Sequence, residues 1–172
     1  IKAGTTIRMG GHSNFPYNEL NLRLNVGDNI KDVEKNRLKL KTFLNLPNDP
    51  IWLDQTHSKK ILPVDNAPID LTADGSYTAQ KNKVCVVTTA DCVPILFCDT
   101  EENKVAAIHA GRKGTQKSIV NKTIISMNRE YGCRPRDLVA GIGLGAVLGA
   151  ADAGCLPHLG RRRPPVRRPA EI

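Results

Sequence analysis

Apolar residues recur with helical spacing in two segments of this chain. The first segment, residues 30–46, follows Asp28 and Asn29, either of which can cap a helix. The second, residues 115–131, precedes Gly132. Helices often end at a residue in the left-handed conformation, which glycine adopts readily. The first stripe, which is imperfect, consists of Ile30, Val33, Leu38, Leu40, Phe43 and Leu44. The inner face of the second consists of Ile119, Val120, Thr123, Ile124 and Met127.

Short apolar runs between these helices predict β-strands. Residues 84–87, 94–98 and 105–108 are almost continuously apolar, which is typical of strands buried on both faces in a layered α/β protein. Runs at residues 51–53 and 138–142 predict two more strands.

The two ends of the chain lack such patterns. Residues 1–28 are rich in turn formers and predict an extended, irregular segment. Residues 144–172 are first rich in Gly and Ala and then in Arg and Pro, so we expect a disordered or poorly packed tail. The sequence therefore predicts one α/β domain over residues 1–143 and an atypical Arg/Pro-rich tail.

Composition limits the class of protein. The chain has 172 residues, 40% of them hydrophobic and 24% charged, which is ordinary for a globular domain. No apolar run reaches the length that crosses a bilayer, so we expect no membrane span. The five cysteines are odd in number and unevenly spaced, which favours reduced thiols and a cytoplasmic location.

The net charge of +8 raises the question of nucleic acid as a partner. Residues 145–172 hold five arginines against two acidic residues, a net +3, which leaves +5 for the rest. Only three Phe, three Tyr and one Trp are available to stack on bases, and none is interleaved with a basic run. We therefore expect no nucleic-acid-reading surface, although a basic binding module acting through the tail stays an alternative.

Three short segments carry the candidate chemistry: Gln55-Thr56-His57, Asp91-Cys92 and His109-Ala110-Gly111. His57, Cys92 and His109 each follow an apolar run, at the strand ends where α/β proteins collect their functional groups. Two histidines and a cysteine can hold a zinc or copper ion with an open fourth position. Alternatively, His109 can deprotonate Cys92 and make it a nucleophile. The spacing leaves both possibilities open.

Four further residues are candidates beside these segments. Asp74, before Gly75, is a candidate catalytic acid, although Asp-Gly is also a common turn. Arg8 precedes two glycines that would let an anion approach, so it is the candidate phosphate ligand. Gln55 and Asp91, which neighbour the candidate metal ligands, are the other candidate substrate-binding residues.

These segments together resemble the YfiH/laccase-domain family, whose members are named multicopper polyphenol oxidase and purine nucleoside phosphorylase. The resemblance extends from about residue 4 to residue 143, in the same order and spacing. The segments that carry it are Thr5-Thr6-Ile7-Arg8, Gly10-Gly11, Pro16-Tyr17, Asn25-Val26-Gly27-Asp28, Asn36-Arg37, Trp52-Leu53, Gln55, His57, Ala73-Asp74-Gly75, Thr89-Ala90-Asp91-Cys92-Val93-Pro94, His109-Ala110-Gly111, Gly114 and Gly141-Ile142-Gly143.

The resemblance implies a fold, a cofactor and a reaction. The fold would be a single α/β/β/α layered domain, shared with a cysteine-hydrolase toxin. A zinc ion would be held by His57, Cys92 and His109. The reactions would be phosphorolysis of adenosine, inosine and 5′-methylthioadenosine, and deamination of adenosine. A copper-dependent polyphenol oxidase is the alternative, but four histidines are too few for several copper centres.

Two segments depart from the family pattern. The family has Trp-Arg-Gly after the His-Ala-Gly motif, whereas this chain has Arg112-Lys113-Gly114. After Gly143 the resemblance stops, and we expect a C-terminally incomplete domain, as a frameshift or truncation would give. The alternatives to a zinc enzyme are therefore a metal-free Cys92 hydrolase and an inactive remnant. The sequence does not predict an oligomeric state.

Overall fold

A computed structural model describes residues 1–66, 68–100 and 104–143. Its centre is a five-stranded mixed sheet in the order β1-β2-β4-β3-β5. The β1 and β2 strands are parallel, and the other three pairings are antiparallel. The strands are β1 (Leu62–Pro63), β2 (Gly75–Thr78), β3 (Val93–Asp99), β4 (Val105–Ala110) and β5 (Leu138–Ile142).

The first helix, α1 (Ile30–Phe43), confirms the helix predicted from residue 30. Asn29 caps it, since its side chain accepts from the backbone N–H of Lys31. The predicted apolar stripe is wrong in part: Val33 and Leu40 are buried, but Leu38 is not. Ile30, Phe43 and Leu44 are also exposed. The buried face has a polar centre, Asn36, because that side chain binds the N-terminal segment.

The second predicted helix is divided in two. Helix α2 spans Arg112–Gln116 and α3 spans Ile119–Tyr131. They are separated at Ser118, whose φ of +60° lies in the left-handed region that a helix cannot continue through. The predicted inner face is confirmed, since Ile119, Thr123 and Met127 are buried. Gly132 ends α3 with a φ of +70°, as predicted.

Two predicted strands are wrong. Residues 51–53 and 84–87 meet through one isolated parallel bridge, between Ile51 and Cys85. A continuous apolar run forms a strand only where a partner segment supplies a ladder of hydrogen bonds, and one bridge is not a ladder. The predicted strands at residues 94–98, 105–108 and 138–142 are confirmed as β3, β4 and β5.

The main core lies between the sheet and α3. Ala106, Ile108 and Ala110 of β4 pack with residues of α3 in this core. Because side chains alternate along a strand, His109 lies on the opposite face of β4, where it is also buried. A second, smaller core joins Leu20, Leu22, Leu40 and the partly buried Trp52 beneath α1.

The predicted α/β class is confirmed by one sheet with flanking helices. The described cysteines Cys85, Cys92, Cys98 and Cys133 are free thiols, as predicted for them. None of the described helices has the length and apolar content needed to cross a bilayer. The predicted tail, residues 144–172, lies outside the described residues, so the domain division at residue 143 stays a prediction.

Candidate metal centre

The antiparallel register of the sheet brings three chain segments to one edge. His109 is the penultimate residue of β4, where it pairs with Pro94 of β3. Cys92 directly precedes β3, and Asp74 directly precedes β2, which pairs with β4 on the other side. The backbone N–H of His109 donates to the Asp74 carbonyl oxygen over 2.7 Å. Strands β2 and β3 therefore both begin where β4 ends.

The candidate ligands His57, Cys92 and His109 meet at this edge. One nitrogen from each histidine and the Cys92 Sγ atom all lie within 4.8 Å of one another. The two imidazole rings are 4.8 Å apart between centroids, in an edge-to-face arrangement. His109 is only 2% exposed, Cys92 is half-buried and His57 is exposed, so the cluster has a closed side and an open side.

Gly111 lies between these three side chains. A Cβ atom at this position would be 3.0 Å from Cys92 Sγ, 3.1 Å from His57 Cδ2 and 3.4 Å from His109 Cε1. Glycine therefore leaves space that a Cβ atom could take only by displacing these neighbours, whereas its φ of −73° is open to any residue. The small residue that follows the predicted His109 ligand allows the other two ligands to converge on it.

Asp74 is a buried carboxylate that organises the cluster. Its Oδ1 atom lies 2.8 Å from His109 Nδ1 and accepts from the backbone N–H of His57 over 2.9 Å. Its Oδ2 atom accepts from the backbone N–H groups of Thr56 and Ser58. Burial would raise the pKa of Asp74, but the hydrogen bonds from His109 and Ser58 outweigh it and hold the pKa well below its usual range.

The carboxylate also shapes the loop that carries His57. His57 has a φ of +59°, a left-handed conformation that is uncommon outside glycine. Three successive backbone N–H groups of the loop turn toward Asp74, and these hydrogen bonds hold that conformation. The same side chain thus fixes two of the three candidate ligands.

The donor set fits a tetrahedral metal ion. In a zinc site with bonds of 2.0–2.3 Å, neighbouring ligand atoms are about 3.3–3.7 Å apart. The three atoms within 4.8 Å therefore need to move by about 1 Å or less. Because Asp74 engages Nδ1 of His109, the Nε2 atom of that ring is left to bind an ion. Three protein ligands and an open side match the pattern of a catalytic site.

The surroundings of Cys92 do not activate it as a metal-free nucleophile. Burial and the neighbouring Asp91 carboxylate, 3.5 Å from the sulfur, raise the pKa of the Cys92 thiol. Among the described residues, no hydrogen bond joins Cys92 to His109, whose Nδ1 is taken by Asp74. A bound cation would reverse this balance, because a metal ion stabilises the thiolate.

The other predicted site residues have different surroundings. Gln55 is buried, and its amide exchanges hydrogen bonds with Thr88 over 2.7 to 3.0 Å. Asp91 is exposed, and its Oδ1 atom lies 3.5 Å from Cys92 Sγ. Arg8 is half-buried, and its Nε donates to the Asn18 carbonyl oxygen over 2.8 Å. The substrate-binding roles predicted for these three residues stay predictions.

A pocket of about 220 Å³ borders the chain segment that leads to His57 and was not predicted. Gln55 and Thr88 contribute to its wall, together with Arg23, Arg37 and Trp52. The sequence signals that mark it are the Asn36-Arg37 pair and Trp52. The resemblance included both, but no pattern in the chain gave them a role.

The whole chain was then compared with known proteins. The family described as multi-copper polyphenol oxidoreductase laccase matches residues 2–151. The chain belongs to this laccase-domain family. A purine nucleoside phosphorylase of Haemophilus influenzae is 42% identical over 143 residues. That alignment covers 83% of this chain and 57% of the relative, so the chain spans less than three fifths of its length.

A second relative and a solved structure are similar to this chain over the same share of its length. The Escherichia coli purine nucleoside phosphorylase YfiH is 38% identical over 144 residues, covering 83% of this chain and 58% of that protein. The solved structure of a Bacillus licheniformis hypothetical protein YfiH matches with a TM-score of 0.74 and 32% identity, over 82% of this chain and 57% of that one. The predicted YfiH-type fold is thereby confirmed.

Proposed function

We propose that this chain is a zinc-dependent purine nucleoside enzyme. The proposal is carried by the convergence of His57, Cys92 and His109 around Gly111 in a chain 42% identical to a purine nucleoside phosphorylase. The proposed phosphorolysis converts adenosine, inosine or 5′-methylthioadenosine and phosphate into the free purine and a ribose 1-phosphate. The proposed second reaction is deamination of adenosine by water, which gives inosine and ammonia.

The chain's own residues supply the site in three ways. His57, Cys92 and His109 would hold the ion, and bound zinc would supply a Lewis acid with an open position. Asp74 holds the proton on His109 Nδ1 and so fixes the ring orientation. The exposed Asp91 carboxylate lies beside Cys92, from where it would contact a substrate hydroxyl or amino group.

This arrangement favours a positioning role for Asp74 over the catalytic-acid role predicted from sequence. A general acid must hold a proton near neutral pH and reach the substrate. Asp74 is fully buried, its pKa is lowered, and both of its oxygens already accept hydrogen bonds from protein N–H groups. We infer that it acts through His109 and through the loop of His57.

Copper is the alternative metal, since the family name refers to copper and His and Cys ligands also bind it. The whole chain holds four histidines, which limits it to a single small centre and disfavours multicopper chemistry. The metal-free hydrolase is disfavoured by the raised pKa of the Cys92 thiol.

The metal content of the purified chain tests the proposal first. We expect about one zinc per chain by elemental mass spectrometry, and loss of that zinc in His109→Ala. Chromatography of incubations with adenosine and phosphate should show adenine and inosine with the unaltered chain and neither with the variant. His12→Ala is the matched control, because His12 is exposed and lies outside the cluster. Full zinc and full turnover in His109→Ala would contradict the proposal.

A further inference from the structure

The pocket lined by Gln55 and Thr88 carries two guanidinium groups that the proposed zinc site does not use. Arg23 and Arg37 line it, with Asp54 as the single acidic residue of the lining, which gives a net charge of +1. Gln55, also in the lining, is two residues before His57, so their Cα atoms are at most about 7 Å apart. The pocket therefore borders the chain segment that carries His57.

Arg37 is held in place before any ligand binds. Its Nε atom donates to the Leu22 carbonyl oxygen over 2.8 Å, and its guanidinium lies 3.9 Å above the centre of the Trp52 ring. In the described part of the chain, its two terminal nitrogens have no hydrogen-bond partner. A guanidinium fixed at Nε and stacked on an aromatic ring presents its remaining N–H groups with little further loss of entropy on binding.

Arg23 is fixed by a different set of contacts. The buried Asn21 side chain forms two hydrogen bonds with the Arg23 backbone. It accepts from the Arg23 N–H over 3.0 Å and donates to the Arg23 carbonyl oxygen over 3.2 Å. The Arg23 Nη2 atom donates to the Gln55 carbonyl oxygen over 2.9 Å. Arg23 is thereby tied directly to the loop that continues to His57.

The apolar part of the pocket wall strengthens the interaction of the two guanidinium groups with an anion. Leu53, Leu71 and Val86 line the same pocket and are half-buried. Charged hydrogen bonds are stronger where apolar walls exclude water, and arginine forks match the oxygen geometry of phosphate. Two guanidinium groups would contribute less binding free energy to an uncharged nucleoside than to a phosphate dianion.

We propose that the Arg23/Arg37 pocket binds inorganic phosphate, the second substrate of phosphorolysis. This inference rests on the proposed function. In the step it serves, a phosphate oxygen forms a bond to C1′ of the ribose as the bond from C1′ to N9 of the purine breaks. The electron pair of that bond goes to N9 of the purine, which takes up a proton, and the attacking hydrogen phosphate gives up its proton, so the step consumes no net proton.

The assignment differs from the one predicted from sequence. Arg8 was the candidate phosphate ligand, but it is absent from the lining of this pocket, and its Nε donates to the Asn18 carbonyl oxygen. Two convergent arginines next to the candidate centre are a stronger anion site than one arginine beside a glycine pair. An Arg8→Gln variant lets the two assignments be compared directly.

Calorimetric titration of the full chain with inorganic phosphate tests the site. We expect Arg23→Gln and Arg37→Gln each to weaken phosphate binding at least tenfold. Arg129→Gln is the matched control, because it removes the same charge from an exposed position on α3 and should leave binding unchanged. Arg37→Lys, which keeps the charge but not the fork, should show an intermediate loss and serves if Arg37→Gln does not fold.

The enzyme assay adds a second readout. With adenosine and phosphate, the ratio of phosphorolysis to deamination should fall at least tenfold in Arg23→Gln, because only phosphorolysis consumes phosphate. Equal phosphate affinity in the unaltered chain, Arg23→Gln and Arg37→Gln would overturn the site, as would a loss seen only in Arg8→Gln. If AMP bound more tightly than inorganic phosphate, and its binding also depended on the two arginines, the assignment of the pocket to inorganic phosphate would be overturned. Absence of nucleoside turnover in the unaltered chain would instead count against the proposed function.

Discussion

At the scale of single residues, the candidate centre depends on groups that do not themselves bind a ligand. Asp74 contacts His109 through its side chain and His57 through the backbone N–H of that residue. Gly111 provides the space in which the three ligand atoms meet. Mutation of such supporting residues typically lowers metal affinity by about 10–100-fold, because they fix the orientation of each ligand.

Asp74→Asn tests the supporting role. The amide cannot accept with both of its terminal atoms, so at least one of the loop N–H groups or His109 loses its partner. We expect zinc affinity, measured by competition with a chromophoric chelator, to fall by about 10–100-fold. Asp70→Asn, which removes a carboxylate from an exposed pair with Lys60, is the control. Unchanged zinc affinity in Asp74→Asn would show that the carboxylate is dispensable.

Gly111→Ala tests the space between the ligands. The new methyl group would be 3.0 Å from Cys92 Sγ and 3.1 Å from His57 Cδ2, so these side chains must separate. We expect about a tenfold loss of zinc affinity, corresponding to the lower part of the ~1–3 kcal/mol that overpacking costs. Gly141→Ala is the matched control, since its Cβ would meet nothing within 4 Å. Equal affinity in the two variants would contradict the steric argument.

At the scale of secondary-structure elements, buried polar side chains connect segments that lack regular pairing. Asn36 of α1 is fully buried and binds four groups of the irregular N-terminal segment. Its Oδ1 accepts from the His12 N–H, and its Nδ2 donates to Ser13 Oγ and to the carbonyl oxygens of Glu19 and Asn21. These bonds replace the ladder that a strand would have supplied.

Asn36→Ala should therefore destabilise the fold strongly. Truncation leaves buried backbone and hydroxyl groups without partners, which costs about 2–4 kcal/mol in the free energy of unfolding. Urea denaturation followed by circular dichroism measures this loss. Lys35→Ala, one position earlier and exposed on α1, should change stability by less than about 0.5 kcal/mol. A similar small change in Asn36→Ala would mean that the N-terminal segment is held by other contacts.

Asp65 connects β2 to α3, and this connection predicts that the stability of the fold depends on pH. Burial would raise the pKa of Asp65, but hydrogen bonds from Thr78 of β2 and Tyr131 of α3 outweigh it and lower the pKa. A lowered pKa in the folded state contributes stability above the unfolded value of about 3.9, and this contribution is lost as pH falls through the folded value.

Asp65→Asn should thus be less stable than the unaltered chain by a constant amount between pH 5 and 7. The difference should narrow as the pH falls below about 4, because there the Asp65 carboxylate of the unfolded chain takes up a proton while that of the folded chain stays ionised. Urea denaturation at a series of pH values gives this difference. A gap that widens toward acid pH would contradict the assigned direction of the pKa.

At the scale of the whole molecule, metal binding should contribute to stability. Zinc that binds the folded chain at 100 times its Kd adds about 2.7 kcal/mol, provided that it does not bind the unfolded chain. For a chain of this size, that corresponds to about 5–10 °C in melting temperature.

Removal of metal with a chelator should therefore lower the melting temperature by about this amount, and added zinc should restore it. Differential scanning calorimetry makes the measurement. His109→Ala should melt at the same temperature with and without zinc, because it lacks a ligand. A zinc-dependent shift that persists in His109→Ala would place the ion elsewhere in the chain.

Local patterns in the sequence were enough to predict several elements. The extents of β3, β4 and β5, the inner face of α3 and its end at Gly132 all follow from side-chain spacing and from the backbone freedom of one glycine. The three candidate ligands were also recognised from sequence, because His57, Cys92 and His109 each follow an apolar run. These features are local, and local interactions are encoded in neighbouring residues.

Other features depended on partners distant in sequence. Residues 51–53 and 84–87 have strand-like composition, yet the fold gives them only one bridge. Asp74 was a candidate catalytic acid or a turn residue by sequence, and the register between β2 and β4 placed it against His109. No sequence pattern gave Arg23 or Arg37 a role, and tertiary packing put both in the lining of one pocket.

The sequence by itself therefore determined which side chains are available for metal chemistry and which segments can form helices and strands. Only the tertiary structure decided which of those side chains meet, because the antiparallel pairings of β2, β4 and β3 bring together residues 74, 92 and 109 from separate parts of the chain. The residues next to a side chain in sequence influence its local conformation. Its chemical role depends on the groups, distant in sequence, that folding packs against it.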